Sequence, residues 1–169
     1  VIDVAAGTIV ATVGDPRDGA ITQVEFVEHD ARLWVLTRGG LAYLFQGSLA
    51  GFAATPSTTY NTVPTIRSNY GLRVAPLHDL DGDGDAELAV SGLSFTQVFA
   101  GATSPSASPL RTYEVWNAAA PAGDLNGDGY GDVLLSDGSR VGIFLGSATG
   151  LATTSVRSVG GLSGVGVGD

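Results

Sequence analysis

Two stretches of the 169-residue sequence carry oxygen-bearing side chains at alternate positions around a fixed glycine. We call them the first loop (residues 79–87) and the second loop (residues 124–132). In each loop these side chains occupy positions one, three, five and nine, and a glycine occupies position six. Calcium prefers roughly six to eight oxygen ligands, and alternate carboxylates on a tightly wound loop can converge on one point. The spacing therefore predicts a calcium ion in each loop.

The odd-numbered positions of each loop would supply the ligands. Position seven would donate its backbone carbonyl, and Gly84 and Gly129 at position six would allow the positive φ that a tight winding needs. The predicted ligands are Asp79, Asp81, Asp83, Asp85 and Glu87 in the first loop, and Asp124, Asn126, Asp128, Tyr130 and Asp132 in the second. Asp-Gly and Asn-Gly steps also form ordinary turns, but two copies of the whole pattern favour metal loops.

The loops differ from those of EF-hand proteins, which need a bidentate Glu at position twelve and a helix on each side. Position twelve is Val90 in the first loop and Leu135 in the second. Each loop instead runs into a short apolar segment that contains a β-branched residue, which predicts a strand. The acid at position nine would therefore be the last ligand of each loop, and a strand rather than a helix would follow it.

Composition favours an all-β chain without nucleic-acid or membrane partners. The sequence has 25 Gly and 7 Pro among short apolar runs, and it shows no amphipathic helical pattern. The net charge is −9, but eight of the 17 acidic residues lie in the two loops, so the acidity belongs to the predicted metal sites. We expect no nucleic-acid binding, because the arginines are dispersed, and no membrane insertion, because no apolar run approaches about 18 residues. Without cysteine, no disulfide or thiolate site is possible.

Internal repetition predicts the architecture. The loops begin 45 residues apart, and Gly101 and Gly146, which close an aromatic-containing run after each loop, have the same offset. The predicted strands are residues 72–77, 87–91, 96–100 and 110–116 around the first loop, and residues 118–122, 132–136, 140–145 and 153–159 around the second. A unit of about 45 residues with four strands is typical of a β-propeller blade.

We therefore predict an all-β fold of β-propeller blades, each of four antiparallel strands, with about three blades and partial blade strands in this chain. The approximate units are 1–21 (partial blade strands), 22–69 (a degenerate blade without a calcium loop), 70–114 and 115–159 (a blade with a calcium loop each), and 160–169 (the start of another blade). The turn at 14–19 lacks the alternate spacing of acids, and the turn at 28–31 is too short for a metal loop, so we assign no metal to either. A complete propeller has at least four blades, so other blades or a partner chain would complete it.

The unit from Tyr70-Gly71 through the first loop to Gly101 resembles an FG-GAP repeat, the blade unit of the integrin α-subunit propeller and of many bacterial extracellular proteins. The unit that contains the second loop and ends at Gly146 is similar. The Phe-Gly that names the repeat is replaced by Tyr70-Gly71 in one unit and by Val115-Trp116 in the next. The chain therefore resembles bacterial FG-GAP proteins more than the integrin subunit. The resemblance implies a calcium ion in each loop, bound on one rim of a propeller by the ten ligands named above.

The sequence offers few residues for catalysis, and we predict no enzymatic activity for this chain. His78 could act as a base beside a metal, although a strand-end histidine is the commoner arrangement, and His29 falls in a predicted turn. No nucleophile elbow, phosphate loop or zinc spacing is present. We expect Trp34 to pack in the core, whereas Tyr113 and Trp116 could pack there or line a ligand site.

These observations predict an extracellular or cell-surface binding or adhesion module with a protein or carbohydrate ligand and two structural Ca²⁺ ions. Millimolar extracellular calcium suits loops of this kind. Two alternatives stay open: a non-catalytic propeller part of a secreted hydrolase or lyase, and a fragment that completes a propeller with partner chains. Because the sequence begins with Val1 and contains no Met, we expect a processed product or a piece of a longer protein.

Overall fold

A computed structural model describes residues 2–3, 8–9, 21–27, 32–37, 41–48, 51–53, 55–61, 73–101 and 108–160. Within these ranges all regular secondary structure is β-strand and every strand pair is antiparallel, which confirms the all-β class. No helix long and apolar enough to cross a membrane occurs among the described residues. The predicted turns at 14–19 and 28–31, with His29, and the segment 161–169 lie outside them.

The chain divides into two compact units, the first of which contains seven of the described strands. They are β1 (Ile2–Asp3), β2 (Thr8–Ile9), β3 (Ile21–Val27), β4 (Arg32–Thr37), β5 (Leu41–Ser48), β6 (Gly51–Phe52) and β7 (Thr58–Asn61). β1 pairs with β2, and the larger sheet runs β3-β4-β5, with β6 and β7 both paired to β5. Trp34 on β4 is only 1% exposed, as we predicted for a core residue.

The second unit contains two four-stranded sheets, each of which follows the order of the sequence. The first sheet comprises β8 (Arg73–Pro76), β9 (Leu88–Ser91), β10 (Phe95–Phe99) and β11 (Arg111–Glu114). The second sheet comprises β12 (Ala118–Gly123), β13 (Asp132–Ser136), β14 (Arg140–Phe144) and β15 (Arg157–Gly160). All eight lie where the repeat predicted strands, with differences at their ends.

β11 and β15 differ most from their predicted ranges, for identifiable reasons. β11 stops at Glu114 because Val115 has a φ of +65°, outside the β region. β15 begins at Arg157 rather than near residue 153. The preceding carbonyls of Leu151 and Ala152 accept hydrogen bonds from the Tyr113 hydroxyl instead of joining a sheet ladder.

The two sheets of the second unit share one hydrophobic core. Leu77, Leu80 and buried side chains of the first sheet pack with Val133, Leu135 and Phe144 of the second sheet and with Leu151 in the connection between β14 and β15. Near the sheet ends, Tyr113 meets Phe144 edge to face at 5.2 Å between ring centroids. Because Leu80 belongs to the first loop, this core also anchors that loop.

Candidate metal centre

Both predicted loops connect the first and second strands of a sheet: the first joins β8 to β9, and the second joins β12 to β13. Gly84 and Gly129, at position six, both have a φ of +91°, as predicted. Position four is also a left-handed glycine in each loop, Gly82 with a φ of +84° and Gly127 with a φ of +76°. Only glycine adopts such angles without strain, so these residues permit the tight winding.

The carboxylate at position one is the centre of each winding. Asp79 accepts hydrogen bonds from the backbone N–H groups of Gly82 (2.6 Å to Oδ1) and Gly84 (2.9 Å to Oδ2). In the second loop, Asp124 accepts them from the equivalent glycines, at 2.7 Å to Oδ1 and 2.8 Å to Oδ2. The same sequence pattern has therefore folded into the same hydrogen-bond pattern twice.

The acid at position nine is buried in both loops and is held by two backbone donors. Glu87, 1% exposed, accepts a 2.7 Å hydrogen bond from the Leu80 N–H and a longer one, 3.4 Å, from the Gly101 N–H. Asp132 has no exposed surface and accepts the equivalent bonds from Leu125 (2.7 Å) and Gly146 (3.0 Å). Each acid thereby ties the start of its loop to the end of the third strand.

The first loop brings three of its predicted ligands together. One carboxylate oxygen from each of Asp79, Asp81 and Glu87 lies within 4.8 Å of the others. Across the described residues, no other three His, Cys, Asp or Glu side chains converge in this way. Asp83 and Asp85 are outside the trio; Asp83 is exposed, and its Oδ1 accepts a 2.8 Å hydrogen bond from the Asp85 N–H.

The second loop is more open. Asp124, Asn126 and Asp128 are exposed, and the Asn126 amide donates a 2.8 Å hydrogen bond to Oδ2 of Asp128. The N–H of Tyr130, at position seven, donates a 3.0 Å hydrogen bond to Oδ1 of Asp128. The carboxylate oxygens of Asp128 thus accept hydrogen bonds from the Asn126 side-chain amide and from the backbone, whereas three carboxylates of the first loop converge on one point.

Burial, and to a smaller extent neighbouring carboxylates, raise two pKa values in the first loop. Burial raises the pKa of Glu87 to about 7, against the hydrogen bond from Leu80 that lowers it, and the charge of Asp81 raises it further. Burial also raises the pKa of Asp81, and the charges of Asp83 and Asp79 add to this effect. The protein without a cation therefore disfavours full ionisation of this site, and a bound cation would reverse that preference.

The position-one carboxylate of the second loop behaves in the opposite way. Hydrogen bonds from Gly129 and, more weakly, from Gly127 and Asp128 lower the pKa of Asp124. Desolvation of the carboxylate opposes these donors but does not outweigh them. This carboxylate therefore stays ionised to lower pH, ready to bind a cation.

Asp81 and Glu87 also line a cavity of about 120 Å³. Arg111 and Thr149 contribute further polar groups to its wall, while Leu80 and Val98 make part of it apolar. A cavity of this volume can hold several water molecules. Water could therefore complete the coordination of a cation held by the carboxylate trio.

Our sequence reasoning did not identify Gly101 and Gly146 as part of the sites. Each donates its N–H to the position-nine acid that precedes it by fourteen residues. A Cβ on Gly101 would overlap the Ala86 carbonyl oxygen, and one on Gly146 would overlap the Gly131 carbonyl oxygen. The sequence does contain one indication of this contact, because the glycine follows the acid by the same number of residues in both repeats.

The aromatic residues that could have lined a ligand site pack instead. Tyr113 is buried in the shared core, and Trp116 packs against it beside Phe144, at 5.3 Å between ring centroids. The guanidinium of Arg140 covers the Trp116 ring at 4.9 Å. His78 is exposed and is not among the converging ligands of the first loop.

No family model matches the chain, and comparison with curated proteins found no significant match. The FG-GAP resemblance therefore stays a prediction from the repeat motif. The case for a metal centre rests on the loop geometry described above.

Proposed function

We propose that the two loops bind calcium and that the chain is part of a calcium-stabilised β-propeller that serves as a binding or adhesion module. The observation that carries this proposal is the duplicated loop geometry. Position one binds the glycine amides, position nine is buried and anchored, and in the first loop three carboxylates converge within 4.8 Å. The proposed ligands are the ten residues that the sequence predicts.

The ligand chemistry favours calcium over other cations. Neither loop contains His or Cys, and oxygen ligands suit hard cations. Calcium tolerates irregular coordination with six to eight oxygens, whereas magnesium demands a near-ideal octahedron. The raised pKa values of Glu87 and Asp81 fit a divalent cation, because its charge would offset both the burial and the carboxylate repulsion that raise them.

The proposed role of calcium is structural. Glu87 and Asp132 each stand at the start of a second strand and accept hydrogen bonds from the beginning of the loop and the end of the third strand. An ion bound to these acids would therefore hold three chain segments of a sheet together. Both acids are buried and already bonded to the backbone, which suits a structural site better than an open catalytic one.

Two observations support propeller blades. Each sheet is a four-stranded antiparallel meander in sequence order, and β12 lies against β8, so the first strands of the two sheets are neighbours. Blades arranged around a common axis would have this relation. An extracellular or cell-surface location follows from the proposed dependence on millimolar calcium. The ligand of the module would be a protein or a carbohydrate.

Calcium titration tests the metal proposal. With a Kd near 10⁻⁴ M, about 10 mM calcium would stabilise the fold by roughly 2.7 kcal/mol for each site. We expect calorimetry to detect two sites. In urea unfolding, calcium should raise the free energy of unfolding by this amount relative to protein in chelator, and magnesium should raise it much less. The double variant Asp81→Asn/Asp83→Asn should lose one site, and Asp124→Asn/Asp128→Asn the other. Equal stability in calcium and in chelator would refute the proposal.

Binding of a partner is tested separately with the calcium-loaded protein on glycan arrays and in pull-downs from extracellular matrix. We expect a ligand that is retained in calcium and released by chelator. Failure of the folded, calcium-loaded protein to retain any ligand would count against the adhesion module while leaving the metal sites intact.

One observation favours a second function, completion of a propeller by further repeats or another chain. Leu80 and Leu125 occupy the same position of their loops, but Leu80 is 1% exposed beneath the second sheet and Leu125 is 56% exposed. A further sheet placed like the second would cover Leu125. Light scattering should then give a mass above 17.1 kDa for the chain in calcium, and a strict monomer would contradict self-assembly.

A further inference from the structure

The two loops are joined to each other by backbone hydrogen bonds. The N–H of Gly131, at position eight of the second loop, donates a 2.7 Å hydrogen bond to the carbonyl oxygen of Asp79, at position one of the first. The N–H of Ser147 donates a 3.0 Å hydrogen bond to the carbonyl oxygen of Leu80. Backbone groups of the second repeat therefore bind the first two residues of the first loop, Asp79 and Leu80.

These bonds belong to a short path between the two buried acids. The Leu80 N–H binds Oε2 of Glu87, and the Leu80 carbonyl binds the Ser147 N–H. The residue before Ser147 is Gly146, whose N–H binds Oδ1 of Asp132. The position-nine acids of the two loops are thus linked through Leu80 of the first loop and the Gly146–Ser147 dipeptide that follows β14.

Close packing leaves this junction little freedom to adjust. The ring of Tyr130, at position seven of the second loop, lies on Gly82 so closely that a Cβ there would be 2.9 Å from Tyr130 Cε1. A Cβ on Gly131 would lie 2.5 Å from the Cβ of His78. A shift in either loop must therefore displace the other.

We propose that Tyr130, Gly131 and the Gly146–Ser147 dipeptide position the first loop, so that the two loops bind calcium cooperatively. The inference rests on the proposed function, since it requires calcium in both loops. An ion in the second loop would fix Tyr130 and Asp132. This would order the backbone N–H groups that donate hydrogen bonds to the carbonyls of Asp79 and Leu80. The first site then binds calcium with less ordering cost, and linkage makes the effect reciprocal.

The test uses the full chain and follows each loop by the amide resonance of its position-six glycine in calcium titrations. Gly84 reports the first loop and Gly129 the second, because each donates its N–H to the position-one carboxylate. In Asp124→Asn/Asp128→Asn, we expect the calcium affinity reported by Gly84 to fall about fivefold or more. In Asp81→Asn/Asp83→Asn, the affinity reported by Gly129 should fall by the same factor.

A milder variant probes the junction without removing a side-chain ligand. Tyr130→Ala keeps the backbone carbonyl at position seven but removes the ring that covers Gly82. We expect it to weaken the first site about threefold, less than the usual coupling of about fivefold or more, because the backbone hydrogen bonds of the junction remain. Leu125→Ala is the matched control, because this exposed side chain belongs to the same loop. It should leave the affinity of the first site within twofold of the natural protein.

The possible results separate this inference from the proposed function. If calcium moves neither glycine resonance in the natural protein, the metal proposal fails, and the coupling fails with it. If calcium moves both, but the affinity at each loop changes less than twofold when the other is disabled or Tyr130 is truncated, the sites are independent. The coupling is then refuted while calcium binding stands. If disabling either loop lowers the calcium affinity of the other by the same factor of about five or more, the coupling is established.

Discussion

The backbone N–H of Gly146 donates a 3.0 Å hydrogen bond to Oδ1 of Asp132, a carboxylate with no exposed surface. Gly101 and Glu87 form the equivalent, longer contact in the first repeat. In both repeats the glycine has no room for a side chain, because the carbonyl at position eight of a loop fills the space of its Cβ. The glycine that lies two residues after the third strand is therefore a structural part of the loop.

Gly146→Ala should destabilise the protein strongly. The new Cβ would force the Gly131 carbonyl away and pull the N–H from Asp132, at a cost of about 2–3 kcal/mol. Gly160→Ala is the control, because the nearest atom to its added Cβ would be 3.6 Å away, and it should stay within about 0.5 kcal/mol. Urea unfolding in calcium measures both. Equal effects of the two substitutions would contradict the steric argument.

Glu87→Gln should affect chelated and calcium-loaded protein in opposite ways. At pH 8 in chelator, removal of a buried charge whose pKa is raised to about 7 should stabilise the fold by about 2 kcal/mol. In calcium, loss of this ligand should abolish most of the gain at the first site. Asp83→Asn, at an exposed position, should weaken calcium binding without stabilising the chelated protein. The pair is compared by urea unfolding with and without calcium.

In chelator, the stability of the protein should depend on pH through the titration of Glu87. Its pKa is about 7 when folded and 4.5 when unfolded, so the folded state holds the proton more tightly. The stability due to this proton is complete below about pH 4.5 and is lost as the pH rises to about 7, a change of about 3 kcal/mol. The difference between the natural protein and Glu87→Gln across this window isolates the effect. A pH-independent difference would contradict it.

Calcium affinity should show the reverse dependence on pH. Glu87 is a proposed ligand and would bind calcium only when ionised, so the calcium affinity of the first loop should fall as the pH drops below about 7, approaching tenfold for each pH unit. Calorimetry in buffers of different ionisation enthalpy should detect about one proton released near pH 6. Asp124 has a lowered pKa, so the second loop should keep its affinity to lower pH. The same pH response in both loops would refute this assignment.

Local sequence was enough to predict the strands and the winding of the loops. Short apolar runs between glycine-rich turns set the strand positions, and the fixed glycine at position six allows the left-handed backbone that both loops adopt. These features depend on neighbouring residues along the chain. For that reason the structure places them where the sequence predicted them.

Features that depend on distant residues could not be predicted. Leu80 and Leu125 are the same residue type at the same loop position, yet only Leu80 is buried, because the second sheet covers it. For the same reason, the sequence did not decide whether Tyr113 packs in the core or lines a ligand site. Burial of this kind is decided by the neighbouring sheet, which no local pattern reveals.

Tyr113→Phe should measure how strongly the two sheets of the second unit are joined. The Tyr113 hydroxyl donates to the carbonyl of Ala152 at 2.7 Å, and its removal leaves that carbonyl without this donor. We expect a loss of about 1–2 kcal/mol. The Phe144 contact should survive in this variant, whereas Tyr113→Leu would remove it as well and should cost more. Urea unfolding measures both variants, and an unchanged stability of Tyr113→Phe would show that the hydroxyl contributes little.

Val115→Gly should stabilise the protein, although it removes a side chain. Val115 has a φ of +65° and is 58% exposed, so it gains little from packing while its β-branched side chain strains the left-handed backbone. Relief of this strain is worth about 1–2 kcal/mol and outweighs the entropic cost of glycine, about 0.5–1 kcal/mol. Val156→Gly is the control, because Val156 is 60% exposed and its φ is not positive. It should destabilise the fold by the entropic cost alone. Urea unfolding should therefore give opposite signs for the two variants, and destabilisation by both would mean that the backbone at Val115 is not strained.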